Sequence, residues 1–317
     1  MDIIDHVKKF INFFSVFVCL SLLLTGCQPA STGPDIGNSA TSEAAVPAEA
    51  YIQNKGSDTI VNLALAWAER YQQEYPAVRI SVTGGGSGTG LASLINGTVD
   101  IANASRAIKD EEIKEAQANG IEPVETVIAR DAIAVIVNPN NPVNHLTLEQ
   151  ISQIYRGEVN NWSELGGEDR PIVRLSRETN SGTHVYFLEQ VIRLGQKDNH
   201  EIFSADTLLL PSSEGIISEV RDNPNAIGYD GLGYVTEEVK VLGIAVKAGG
   251  EYVMPSIATV NSGTYAISRD LYMYSRKDAG QAVIDFLNWI LSPEAQIIVS
   301  DLGFVPVLTS TSQAGKP

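Results

Sequence analysis

Cysteine is scarce in this chain: its 317 residues hold two, Cys19 and Cys27. That rules out a disulfide framework, so the fold must be held by its apolar cores. Histidine is scarce as well, with four residues scattered at 6, 145, 184 and 200. Such spacing offers no transition-metal site, and no metal is expected. Basic residues number 22 against 38 acidic ones, a net charge of −16. A surface of that sign repels nucleic acid. Nucleotide and hydrolase signatures are also missing. The glycine-rich run Gly84 to Gly90 lacks the lysine of G-x-x-x-x-G-K-[ST] and does not satisfy G-x-G-x-x-G. Nor is it a G-x-S-x-G elbow, because Thr89 stands where the last glycine belongs.

The apolar run from Phe10 to Leu24 follows Lys8 and Lys9. It is about fifteen residues long, short of the roughly 20 that span a bilayer core. It therefore reads as a signal peptide covering residues 1–26. The run ends in Leu24-Thr25-Gly26-Cys27, which resembles the bacterial lipobox, and this predicts acylation of the Cys27 thiol. Cleavage there removes Cys19 and leaves no partner for a disulfide. It removes two lysines and two aspartates, so the charge stays at −16. The remaining roughly 290 residues suffice for about two domains. Residues 27–50 are rich in Ser, Thr, Gly, Pro, Ala and Glu and are expected to form a flexible tether. The polar tail from Thr309 to Pro317 is expected to be disordered.

From Tyr51 onward β-rich runs alternate with helical patterns, which predicts an α/β fold with largely parallel sheets. Strands are expected at 79–83, 132–137, 172–175 and 240–246. Helices are expected after Ser57, Gly88, Asp110, Thr147, Ser181, Ser213 and Asp278, most of them with a side chain able to cap the first turn. Val283, Phe286, Leu287 and Ile290 fall at helical spacing and are read as core.

Three segments share one chemistry, small hydroxyl and glycine residues placed before a helix. They are Gly56-Ser57-Asp58-Thr59, Gly84 to Gly90, and Asn180-Ser181-Gly182-Thr183. A helix start presents unpartnered N–H groups and a partial positive charge, and glycine admits close approach to the backbone. Each loop is thus a potential anion site as well as a simple cap and turn. Ser57, Thr59, Ser87, Ser181 and Thr183 add neutral donors, and Arg177 adds a planar fork. Dispersed donors of this kind can hold an anion without a basic surface. His184 lies three residues after Ser181 and can reach it, but no third group is evident to orient the imidazole, so a catalytic pair is not expected.

At these loops the chain resembles the phosphate-binding subunit of bacterial phosphate ABC importers. The similarity runs from about Gly56 to about Val307. Besides the loops it includes Val99-Asp100-Ile101-Ala102 leading into Ser105-Arg106, Ile154-Tyr155-Arg156-Gly157 with Asn161-Trp162, Ala226-Ile227-Gly228-Tyr229, and Tyr265-Ala266-Ile267-Ser268-Arg269. The resemblance implies a type II periplasmic-binding-protein fold: two α/β lobes joined by two hinge strands, with the ligand in the cleft. Lobe one would be 51–131 with 247–317, and lobe two 132–246, with crossings near 132–137 and 241–246. It implies inorganic phosphate as ligand, permease and ATPase subunits as partners, no cofactor and no catalysis. The protein would then work outside the cytoplasm, anchored to the membrane by its lipid.

Carried over by position, Thr59, the Ile60 amide and Ser87 match the family's contacts on one side. Arg177, Ser181, Gly182 and Thr183 match those on the other. Ser57 and Asp58 flank the first loop. One departure has chemical weight: where some members carry an aspartate that accepts a proton from phosphate, this chain has Ser105-Arg106. Arg106 either adds to anion binding or pairs with Asp58 or Glu178. The nearest carboxylates for the acceptor are Asp58, which is preferred, and Glu178. Other readings are a receptor for sulfate or molybdate, a phosphate-sensing or adhesion lipoprotein, and a secreted phosphohydrolase, the last disfavoured for want of an activated nucleophile.

Overall fold

The computed structural model describes residues 49–307. The signal peptide, Cys27, most of the tether and the tail from Thr309 lie outside them. Ala50, read as the last tether residue, already belongs to a strand.

In chain order the first half contains β1 (Ala50–Gly56), α1 (Asp58–Glu74), β2 (Val78–Thr83), α2 (Ser87–Ile95), β3 (Ile101–Ala104), α3 (Asp110–Ala118), β4 (Pro123–Val137), β5 (His145–Thr147) and α4 (Leu148–Arg156). The second half contains β6 (Val173–Arg177), α5 (Gly182–Phe187), β7 (Leu208–Leu210), α6 (Ser213–Asp222), β8 (Ala226–Gly231), β9 (Lys240–Val241), β10 (Gly243–Ala245), α7 (Ile257–Asn261), β11 (Ser268–Arg276), α8 (Gln281–Ile290) and α9 (Pro293–Asp301).

The main sheet is ordered β2-β1-β3-β11-β4-β8-β6-β7, with β9 also against β4. It is mixed, which corrects the expectation of largely parallel strands. β1 runs parallel to β2 and β3, and β6 parallel to β7 and β8. Between these groups β11 is antiparallel to β3 and β4, and β4 antiparallel to β8. The cause is β4, a 15-residue strand that pairs with β11 over 123–132 and with β8 over 133–137. Its run Ala132-Ile133-Ala134-Val135-Ile136-Val137 is buried throughout. An unbroken apolar strand of this kind is stable only where both faces are covered. The strand expected over 240–246 is two pieces, because after β9 the Leu242 N–H turns to Val135 O at 2.9 Å and β10 pairs with β5 in a separate two-stranded sheet.

Helix α1 buries Ile60, Leu63, Ala64, Trp67, Ala68 and Tyr71, a stripe at intervals of three and four that fits the helical period. Trp67 Nε1 donates to Ala295 O at 2.8 Å, so the indole leaves no orphan donor beneath α9. The expected stripe of Val283, Phe286, Leu287 and Ile290 is buried on α8, with Phe286 edge-on to Tyr71 at 5.0 Å. A second cluster packs Tyr155, Phe187 and Tyr229 beside Trp162. Phe187 and Tyr229 stack with centroids 3.5 Å apart.

Gly56 lets the end of β1 lie against β3, and Gly90 lets α2 lie against the end of β1. A Cβ on Gly56 (φ +148°) would stand 2.1 Å from Asn103 O, and one on Gly90 2.5 Å from Lys55 O. Alanine in a helix interior normally gains up to about 1 kcal/mol over glycine. Here the sign should reverse: Gly90→Ala should cost about 2 kcal/mol from overpacking against backbone that cannot move aside. Thermal denaturation should show a melting temperature several degrees lower. A melting temperature equal to or above the parent's would refute this packing account.

Candidate functional site

The three loops of the sequence meet in space. β1 ends at Gly56, so Ser57 stands at the start of α1. Ser57 is the N-cap, yet its side chain caps nothing. Its Oγ instead donates to Ser105 Oγ at 2.9 Å. Diverting that hydroxyl leaves first-turn N–H groups without the side-chain partner a serine cap normally gives. Helix α2 likewise starts at Gly86 with no side-chain cap. Its Ser87 Oγ accepts from Ser105 N–H at 3.0 Å and lies 3.2 Å from Ser105 Oγ. Ser57, Ser87 and Ser105 thus form one buried hydroxyl triad.

A second group lies alongside. Thr59 Oγ1 and Thr183 Oγ1 are 2.8 Å apart, although 124 residues separate them in sequence. Gly182 closes the gap between the groups: a Cβ there would be 2.3 Å from Ser87 Oγ and 2.6 Å from Ser105 Oγ. Ser181 serves as the cap of α5, its Oγ accepting from Thr183 N–H at 3.2 Å. The Ile60 N–H donates to Ser57 O at 3.2 Å while its side chain is fully buried in the core. The loop of Asn180 grips the glycine run, with Gly88 N–H donating to Asn180 O at 2.9 Å and Asn180 Nδ2 to Gly85 O at 3.0 Å.

The charges are buried with the hydroxyls. Arg177 is 1% exposed. Its Nη1 donates to Ser213 Oγ at 2.8 Å and Asp230 Oδ2 at 3.4 Å. Its Nη2 donates to Asp58 Oδ2 at 3.1 Å and Pro211 O at 2.9 Å, and its Nε points to Leu210 O at 3.4 Å. The other oxygen of Asp58 accepts from Gly85 N–H at 3.0 Å. Burial pushes the Asp230 carboxyl upward, and the nearby Arg177 charge opposes that shift.

Two assignments change. Arg106, left between anion binding and a pair with Asp58 or Glu178, pairs with Glu112, at 2.8 Å and 2.6 Å from its two nitrogens. Glu112 sits in the first turn of α3, three residues after Lys109, where it also accepts the Lys109 N–H at 2.9 Å. Burial alone would raise its carboxyl, but the hydrogen bonds and charge of Arg106 outweigh that and hold it below the usual range. The preferred acceptor, Asp58, has its two oxygens engaged by Arg177 and Gly85, and Glu178 is exposed. His184 is not joined to Ser181. Its Nδ1 bonds Ser176 Oγ at 3.0 Å, its ring stacks on Phe203, and burial lowers its pKa.

Sequence reasoning missed a second buried ion pair. Arg269, on β11, donates from Nη2 to Asp131 Oδ2 at 2.9 Å and from Nε to the same oxygen at 3.3 Å. It also reaches Thr183 Oγ1 at 3.0 Å, Thr59 Oγ1 at 3.4 Å and Ser105 O at 3.0 Å. The available signal was the run Tyr265 to Arg269, which carried part of the family resemblance without any role attached. Burial pushes the Asp131 carboxyl upward, against the charge and hydrogen bonds of Arg269.

Comparison with known proteins identifies the family. Residues 39–294 match the profile of the PBP superfamily domain. The phosphate-binding protein PstS of Pseudomonas aeruginosa is 32% identical over 273 residues, covering 81% of this chain and 83% of that protein. PstS of Bacillus subtilis is 32% identical over 253 residues, covering 80% and 79% respectively. Among solved structures, a phosphate ABC transporter substrate-binding protein from Clostridium perfringens with bound phosphate superposes with a TM-score of 0.73 at 34% identity, covering 81% of this chain and all of that one. The mixed α/β architecture with its curled sheet is that of phosphate-binding periplasmic proteins. The chain belongs to the PBP superfamily and, within it, to the PstS family of phosphate-binding transport receptors, which are not enzymes.

Proposed function

We propose that this chain captures inorganic phosphate outside the cytoplasm and delivers it to the permease of an ABC importer. The observation that carries the reading is the convergence of Ser57, Thr59, Ser87, Ser105, Gly182 and Thr183 on one buried point beside two paired guanidiniums. Hydroxyl and N–H donors can replace the hydration shell of a tetrahedral oxyanion, and the helix starts favour its negative charge. The lobes, 51–131 with 247–317 and 132–246, close over the anion, since the donors come from both. Cys27 carries the lipid and residues 27–50 tether the fold to the membrane.

Calorimetry on the soluble domain should give one phosphate per chain. Phosphate at 100 times its dissociation constant should stabilise the fold by about 2.7 kcal/mol. Titration without heat and without a thermal shift would refute the reading, and tighter binding of sulfate or molybdate would reassign the ligand. Gly182→Ala places a methyl against Ser87 and Ser105 and should oppose closure rather than folding. Its phosphate affinity should fall at least about tenfold, with the ligand-free melting temperature within a few degrees of the parent. Unchanged affinity would show that these loops do not meet around the ligand. Cys27→Ser should release the protein from the membrane fraction without altering affinity. Retention of that variant in the membrane would refute the lipid anchor.

A further inference from the structure

We infer that Arg269 is itself an anion-binding residue: Asp131 holds its guanidinium so that one Nη2 hydrogen is available to the bound oxyanion at the Thr59–Thr183 pair. The inference rests on the reading of this site as an oxyanion receptor and deepens it.

The argument is a count of donors. A guanidinium has five N–H bonds, and each serves ligand binding only if no fixed protein acceptor already holds it. For Arg177 the acceptors are Leu210 O, Ser213 Oγ, Asp230 Oδ2, Asp58 Oδ2 and Pro211 O, five acceptors around five hydrogens. Two are main-chain carbonyls and two are carboxylates. The fifth, Ser213 Oγ, is a hydroxyl whose own hydrogen goes to Asp230 Oδ1 at 3.0 Å, which leaves its oxygen turned to Arg177. In this arrangement all five Arg177 hydrogens face protein acceptors, and the residue ties the loops of the site together.

Arg269 is arranged differently. Its Nε and one Nη2 hydrogen go to Asp131, one Nη1 hydrogen goes to Ser105 O, and the second Nη1 hydrogen meets no protein acceptor among the described residues. The other Nη2 hydrogen lies between Thr183 Oγ1 at 3.0 Å and Thr59 Oγ1 at 3.4 Å. Both of these acceptors are hydroxyls, which rotate and can themselves donate. The two oxygens and Nη2 form a triangle with sides of 2.8, 3.0 and 3.4 Å. An oxyanion oxygen over that triangle receives three hydrogen bonds, one of them charge-assisted, after two hydroxyl rotations. Ser105 also belongs to the serine triad, so the same guanidinium spans both hydroxyl groups. Tyr186 covers its other side, with Arg269 Cζ 5.6 Å from the ring centroid. Arg269 also lines a cavity of about 340 Å³ with Arg106, Lys109, Tyr186 and Tyr272.

The test is calorimetry with phosphate on the parent, Arg269→Gln, Arg269→Lys, Thr183→Val and the double variant Arg269→Gln/Thr183→Val. Arg269→Gln should lower affinity about tenfold or more, because a charge-assisted bond is lost. Arg269→Lys keeps the charge but not the fork, and its loss should be smaller yet above threefold. If Arg269 and Thr183 hold the same oxygen, the double variant should lose less than the product of the two single losses. A purely structural role for Arg269 would give multiplicative losses. Arg269→Gln that stays folded and binds within twofold of the parent overturns the inference and leaves the phosphate reading intact. Should that variant fail to fold, Arg269→Lys decides alone, and affinity equal to the parent's overturns the inference. Absence of phosphate binding by the parent would instead refute the proposed function itself.

Discussion

The site depends on two guanidiniums buried among three carboxylates. Taking an ion out of water costs several kcal/mol even after relaxation, and removing one partner of a buried pair leaves the other uncompensated. Arg177 with Asp58 and Asp230, and Arg269 with Asp131, are therefore constraints that every neighbouring element must satisfy. Asp58 comes from the start of α1, Arg177 from the end of β6, Asp230 from β8, Asp131 from β4 and Arg269 from β11. These elements are far apart in sequence, and the ion pairs draw their ends together at one place. The hydroxyl loops stand on that platform: Asp58 also accepts from Gly85, and Arg269 also donates to Ser105 O.

The proposed anion site is physically compatible with a net charge of −16. Surface charge acts through high dielectric and is screened over about 10 Å at ordinary ionic strength. The donors of the site are fixed, short-range and shielded from water, so their local field decides. The serine and threonine hydroxyls add no formal charge. A strongly basic pocket would hold any anion. A pocket in which each cation is already paired discriminates by shape and by donor direction.

Much of the platform's upper part was legible in the sequence. Helix starts at Thr147 and Ser181 followed from capping chemistry, the start at Ser57 was expected on the same ground although its hydroxyl caps nothing, and the three hydroxyl loops followed from their shared composition. Those signals are local, so one sequence carries them. The lower part was not legible, because Asp131, Asp230 and Arg269 lie inside strands and gain meaning only from the register of β4, β8 and β11. The parallel expectation failed for a related reason: alternation of strands and helices says nothing about β11, which returns late in the chain between β3 and β4. The partners expected for Arg106, Asp58 or Glu178, gave way to a short-range pair. Glu112 six residues on, in the first turn of α3, captures it.

The missing aspartate can also be understood in these terms. A carboxylate acceptor discriminates by refusing any ligand oxygen without a proton. Hydroxyls make no such demand, since each can donate to a bare oxygen or accept from a protonated one. In a triad such as Ser57, Ser105 and Ser87, one rotation changes the pattern of donors and acceptors without moving a heavy atom. Protonation of the ligand is then accommodated by the ring rather than enforced by a single group. The burden of selection shifts to the total charge that the two guanidiniums, already flanked by three carboxylates, can neutralise. A ligand that brings its own proton lowers that burden, because less unbalanced negative charge is buried. On the proposed reading of the site, the charge balance of the platform favours a protonated oxyanion with no dedicated acceptor at Ser105-Arg106.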